Sequence, residues 1–305
     1  MTSSSATTVL GRRPSPASAL STLGLFAFVV VAWSLNWVVI KVAVREITPL
    51  WAVAIRTVLA TLVLFPALLA TGHLVRPPRA DLPVVLVIAL FHMVAFAALM
   101  TVGMTFVPAS RAIVLGYTTP LWVAPAAFLF LGERITTRQA IGIAIGLFGL
   151  LLLLGPRGLD RGSPAALYGN GLLLLAALSW SVSLVYTRGH RWTATPLQLM
   201  PWQCLLASSV LVGLALLVDG APSPRMSASV LIALAYNGVI GTALGFWAMT
   251  VVSRRLPAAK ASLGLLATPV LGIGLSAVFL GEGLDPVLVL SAFAILAGVA
   301  LGIAF

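Results

Sequence analysis

The sequence predicts an all-α polytopic membrane protein: ten transmembrane helices arranged as two inverted five-helix repeats. Three observations carry this expectation. Charge is scarce, apolar runs of about 20 residues recur along the chain, and the second half repeats the first at a shift of 147–149 residues.

Of the 305 residues, 60% are hydrophobic and 8% are charged, against about 25% charged in a soluble domain. The mean hydropathy is +1.11. A soluble fold with this composition would present a large apolar surface and aggregate, so lipid is its natural solvent. The net charge of +11 comes from 18 Lys and Arg against 7 Asp and Glu. The cations are scattered singly and in pairs between apolar runs, which suits loop anchoring. No basic stripe interleaved with aromatics points to nucleic acid. The single cysteine, Cys204, excludes an intrachain disulfide and any cysteine-based metal or redox motif.

Residues 1–20 are rich in Ser, Thr and Pro and read as a disordered cytoplasmic tail. Arg12-Arg13 could belong to a signal peptide. The apolar run from Leu23 to Val44 is too long for one, so a retained first helix is expected. Apolar runs then place spans at about 21–42, 49–70, 82–104, 108–131 and 137–154, and again at 168–187, 196–217, 228–250, 257–280 and 285–304. Breaks fall at charged, turn-forming segments such as Arg45-Glu46-Ile47-Thr48-Pro49 and Arg76-Pro77-Pro78-Arg79. The expected organisation is a tail (1–20), a first repeat (21–155), a linker (156–167) and a second repeat (168–305). The spans must be helical, because an open sheet leaves its edges unpaired in lipid. With the N-terminus inside, ten loop cations lie inside and five outside, which puts both termini in the cytoplasm.

The repeat is carried by uncommon residues in register. Val107-Pro108-Ala109-Ser110-Arg111-Ala112 aligns with Leu256-Pro257-Ala258-Ala259-Lys260-Ala261. Thr119-Pro120 aligns with Thr268-Pro269, and Leu131-Gly132-Glu133 with Leu280-Gly281-Glu282. Trp33-Ser34 aligns with Trp180-Ser181, and Lys41 with Arg188. Five helices per repeat is an odd number, so the second copy enters the membrane from the opposite face, an arrangement that secondary transporters share.

These blocks, together with Trp33-Ser34-Leu35-Asn36, Arg56, Gly142 and Gly149, resemble the EamA domain, the repeat unit of the drug/metabolite transporter superfamily. The resemblance covers about residues 21–305. It implies a ten-helix carrier and leaves the substrate open among amino acids, sugar phosphates, nucleotide sugars and drugs. Export rather than uptake is implied by the resemblance alone. The second copy departs at Gln203, the counterpart of Arg56, and at Gly283, the counterpart of Arg134. An arginine-based site would therefore be asymmetric.

The expected substrate-binding residues are Trp33, Asn36, Arg56, His92, Tyr117, Trp180 and Tyr236. Arg56 lies seven residues into its span, where burial costs about 2.5 kcal/mol or more unless it faces a cavity or a partner. It is read either as a ligand for an anionic group or as a bonded structural arginine. His92 lies ~15 Å along its span, near the midplane. It is the intramembrane group best suited to titrate near neutral pH, or else a core histidine bonded to a neighbour. The remaining polar and aromatic groups offer an apolar cavity with a few polar handles. Pro120 and Pro269 are read as kinks beside the site. Trp37 and Trp51 are read as interfacial belt residues, and Glu133 and Glu282 as helix-end caps or ion-pair partners. Membrane-enzyme and non-transporting scaffold readings are the rivals from other classes. No zinc, nucleophile-elbow or phosphate-loop motif appears. No catalytic residue, cofactor or metal is expected. The expected partners are a small-molecule substrate and the lipid bilayer, with a homodimer left open.

Overall fold

The computed structural model describes residues 16–154, 163–222, 225–256, 261 and 264–303. The first 15 residues, most of the linker, Lys260 and Phe305 lie outside the described residues. Every regular element described is helical. In chain order these are α1 (Pro16–Ala43), α2 (Pro49–Ala70), α3 (Arg79–Phe106), α4 (Ala109–Leu131), α5 (Thr137–Leu154), α6 (Pro164–Gly189), α7 (Pro196–Val218), α8 (Ala228–Ser253), α9 (Ala267–Leu280) and α10 (Pro286–Ile303). The first eight are long and apolar enough to cross a membrane; α9 and α10 are shorter apolar helices.

Local sequence explains the boundaries. Thr48 and Thr195 hold extended N-cap conformations, and Pro49 and Pro196 follow in the first turn, where a missing N–H is harmless. Thr195 and Gln198 complete a capping box. Gly132 and Gly281 end α4 and α9 in the left-handed region, at φ +67° and +68°, where a Cβ would clash with the backbone. Gly72 and Gly220 follow α2 and α7 with φ of +69° and +74°.

Two helices are not regular throughout. Within α3, Ile88–Phe96 forms a π-helix, and within α8, Tyr236–Leu244 does the same. The two start 148 residues apart, at 88 and at 236, so the irregularity follows the sequence repeat. Pro120 does not kink a continuous helix as expected. The helix stops at Gly116, turns through Tyr117 and Thr118, and restarts at Thr119 with Pro120 in its first turn. Pro269 occupies the matching place in α9, just after a turn at Leu266. Each proline lies where the chain has already broken, so no hydrogen bond is forfeited.

The two halves are interleaved. α1 packs on α8 and α9, while α6 packs on α3 and α4. α2 pairs with α7, and α5 with α10. A Cβ on Gly142 would lie 2.4 Å from the Gly298 carbonyl, so α5 and α10 cross with backbones nearly touching. One apolar core joins α2, α3, α7 and α8, and a second joins α4, α5, α6 and α10. Large apolar side chains such as Leu62, Phe130, Phe148, Leu217 and Phe293 face outward, as a lipid-exposed surface requires. Trp51 departs from its expected place in an interfacial belt. It is buried, and its indole N–H donates to the Gly220 carbonyl at 3.0 Å.

Candidate functional site

The π-helices bring the site together. Widening one turn leaves carbonyls without their usual i+4 donors and places side chains off the regular helical register. The Gly241 carbonyl, inside the α8 π-helix, accepts the Trp33 indole N–H at 3.0 Å. The Phe91 carbonyl, inside the α3 π-helix, accepts the Ser179 hydroxyl at 2.7 Å. Each irregular helix is thus satisfied by a donor from the first helix of the opposite half, α1 for one and α6 for the other. A further tie runs from the Tyr236 hydroxyl to the Ala32 carbonyl at 3.1 Å.

An aromatic cluster spans both halves at this level. The His92 ring stacks on Trp180 with centroids 5.2 Å apart and planes 10° apart. Phe96 lies 4.9 Å from Trp180, and Phe246 lies 6.2 Å from His92. Trp33 closes the cluster against Phe246 at 5.4 Å. Four helices contribute: α1, α3, α6 and α8.

Polar atoms surround the cluster. Arg56 lies within electrostatic reach of His92 and Cys204. The Arg56 carbonyl and the Leu59 side chain of α2 pack directly on Gly238, next to Asn237. Asn36 packs on Gly241, one helical turn further along α8. The buried Nε of Arg56, Nε2 of Gln203, Oδ1 of Asn36 and Oδ1 of Asn237 all lack a hydrogen-bond partner. Buried polar atoms are normally satisfied. The orphans fall in two chemical classes on helices that build the cluster or pack beside it: donors on α2 and α7, acceptors on α1 and α8.

The structure thus brings together Trp33, Asn36, Arg56, His92, Trp180 and Tyr236. Tyr117 stands apart, 6.4 Å from Trp37, and it borders a crevice with Pro269. Trp37, read as a belt residue, packs on Tyr117 and Gly116 in the interior. Phe96 and Phe246 join the cluster, Asn237 lies beside the Gly238 contact with α2, and Gln203 is buried on α7 next to Cys204. Phe96 and Phe246 carry no sequence signal, since apolar aromatics inside apolar helices are commonplace. The glycines at 238, 241 and 245 do carry one: a hypothetical Cβ on each would collide with Leu59, Asn36 and Trp33 respectively. Cys204 is fully buried and free, and the described residues contain no cluster of His, Cys, Asp and Glu able to hold a metal ion.

The profile of the EamA-like transporter family matches residues 20–155 and again 167–303. The chain is 26% identical to "Uncharacterized transporter YoaV" of Bacillus subtilis (strain 168), over 91% of this chain and 94% of that protein. It is 30% identical to a "Probable amino-acid metabolite efflux pump" of Escherichia coli (strain K12), over 90% and 92% respectively. A solved crystal structure shares the fold with a TM-score of 0.62, at 22% identity over 92% of this chain and 96% of its own.

Proposed function

Because this chain belongs to the EamA-like transporter family, we propose that it is a secondary transporter that carries a small amphipathic zwitterion by alternating access. The proposed solute is an amino acid or a related metabolite, and the proposed direction is export across the cytoplasmic membrane. In this reading the ten apolar helices all span the bilayer, the halves are inverted, and both termini are cytoplasmic. Carrier activity requires no catalytic chemistry of the chain.

One observation carries the choice of solute: unpartnered donors and acceptors lie around a single aromatic cluster shared by both halves. A carboxylate suits Arg56 and Gln203. An ammonium group suits the Asn36 and Asn237 oxygens and the faces of Trp33 and Trp180, where a cation–π contact contributes about 0.5–2 kcal/mol. An apolar side chain suits the remaining ring surfaces. A purely cationic solute would meet Arg56 with no carboxylate to replace its water. The efflux-pump relative supports the same class and direction.

The test is flux in proteoliposomes loaded in turn with a neutral amino acid, an organic anion and a quaternary amine. The expected result is transport of the amino acid, weakened about tenfold or more in Arg56→Gln by loss of a charge-assisted hydrogen bond. Strong flux of the quaternary amine alone, undiminished in Arg56→Gln, would overturn the proposal.

A further inference from the structure

Four helices are fastened together where α3 passes into α4. Lys41, near the end of α1, donates from Nζ to the Met104 carbonyl and, at 2.7 Å, to the Val107 carbonyl. Glu282, two residues past α9, accepts from the backbone N–H groups of Ala109 and Ser110 at 2.6 and 2.8 Å. Those two amides open α4, where a carboxylate also meets the positive end of the helix dipole. Lys41 and Glu282 are within electrostatic reach of each other. The result joins α1, α3 and α4 of the first half to α9 of the second.

The sequence repeat supplies a second pair of the same kind. Arg188 is the counterpart of Lys41, and Glu133 the counterpart of Glu282. Glu133 follows the far end of α4, so this pair lies at the opposite end of the molecule from Ala109. Arg188 and Glu133 also meet across the two halves, at 3.4 Å, but with side chains 55% and 43% exposed. Beside them a groove of about 550 Å³ opens between α4 and α6, lined in part by Phe130, Leu131, Val185 and Tyr186. Equivalent pairs are therefore held differently: one is engaged with backbone, the other is an exposed ion pair beside a groove whose wall includes the outward-facing Phe130.

Resting on the alternating-access reading, we propose that Lys41 with Glu282, and Arg188 with Glu133, are positioning residues that hold opposite ends of the pathway shut in turn. The structure holds one end through backbone carbonyls and amides and the other through an exposed ion pair alone, so the Lys41–Glu282 end is the firmer closure. Weakening that end shifts the population toward the opposite state.

The test uses purified full-length protein in detergent, in a Cys204→Ala background, and needs no solute. Ile113→Cys reports on the first end: Ile113 is fully buried, one turn into α4 from the amides that Glu282 holds, and it faces Gly272 of α9. Tyr186→Cys, at a position 40% exposed two residues before Arg188, reports on the second end. Glu282→Gln is expected to raise the labelling rate of Ile113→Cys by a water-soluble maleimide about tenfold, the effect of losing one charge-assisted bond. It is also expected to slow labelling of Tyr186→Cys. Lys41→Gln, on a different helix, is expected to do the same and serves if Glu282→Gln does not yield folded protein. A rise at Ile113→Cys without the fall at Tyr186→Cys signifies local loosening only and overturns the proposal, as does no change at either site. Reciprocal labelling in a protein that transports none of the three test solutes would refute the solute assignment and leave these positioning roles intact.

Discussion

A guanidinium in the interior of a membrane protein gains little stability for the fold unless it is fully bonded, and the Arg56 Nε has no partner. On the function proposed above, its value lies in what it binds. Arg56→Gln is therefore expected to leave the apparent melting temperature of the ligand-free protein unchanged or higher. The stabilisation that a neutral amino acid gives the wild type should disappear, as thermal unfolding with and without that solute will show. Glu46 obeys the opposite logic. The Ser227 amide and hydroxyl both donate to its carboxylate, at 2.8 and 2.7 Å, and hold the carboxyl below the usual carboxylate range. A depressed folded-state pKa contributes stability above the unfolded value, and that stability is lost as pH falls through the folded one. Melting temperatures measured between about pH 5 and pH 3 should decline in the wild type and decline less steeply in Glu46→Gln.

At the scale of elements, two devices govern where helices meet. The first is close approach through glycine. At the α5–α10 crossing, Gly142 and Gly298 lie against each other's backbone, and a Cβ on either would come within 2.4 Å of the other's carbonyl oxygen. Backbone cannot yield as a flexible side chain does. Gly142→Leu is expected to cost about 1–3 kcal/mol or more, seen as a lower melting temperature and loss of monodispersity in detergent. Gly302→Ala, on the partner helix α10 with open space around the added Cβ, should be tolerated. The second device is the pair of π-helices. They supply the carbonyls that Trp33 and Ser179 bond across the halves, so the irregular turns act as docking points between repeats.

At the scale of the molecule, topology decides which end of the pathway faces which compartment. The excess of loop cations on one side predicts that both termini are cytoplasmic. Reporter fusions at Phe305 and within the 155–165 loop will check this: a cytoplasmic signal at the first site and an external one at the second are expected. On that topology the Lys41–Glu282 end faces outward and the groove beside Arg188 faces the cytoplasm.

The apolar helices, most of their boundaries among the described residues, and the repeat were legible in the sequence because they depend on local quantities; the start of α9 at Ala267 and the break after Gly116 were not. Twenty apolar residues cover a bilayer whatever their neighbours do. Thr-Pro starts and Gly-Glu ends mark helices through backbone chemistry, and identical motifs at a fixed shift need no structure to be seen. The site was legible only in part. Trp33, Asn36, Arg56, His92, Trp180 and Tyr236 stood out because polar or amphipathic groups are costly in lipid and need a reason to be there. Phe96 and Phe246 did not, since an apolar ring deep in an apolar helix has the same composition whether it packs on a neighbour or faces a cavity. The displacement of Tyr117 toward Trp37 depends on a break after Gly116 that the proline at 120 hinted at without locating. Nor could spacing announce the π-helices, because an i+5 turn is sustained by partners on other helices rather than by the residues within it. The exchange of first helices between halves, and the unequal engagement of Lys41–Glu282 and Arg188–Glu133, were decided by tertiary packing alone. Symmetric sequences permit either pair to engage the backbone, and only the arrangement of whole helices selects one.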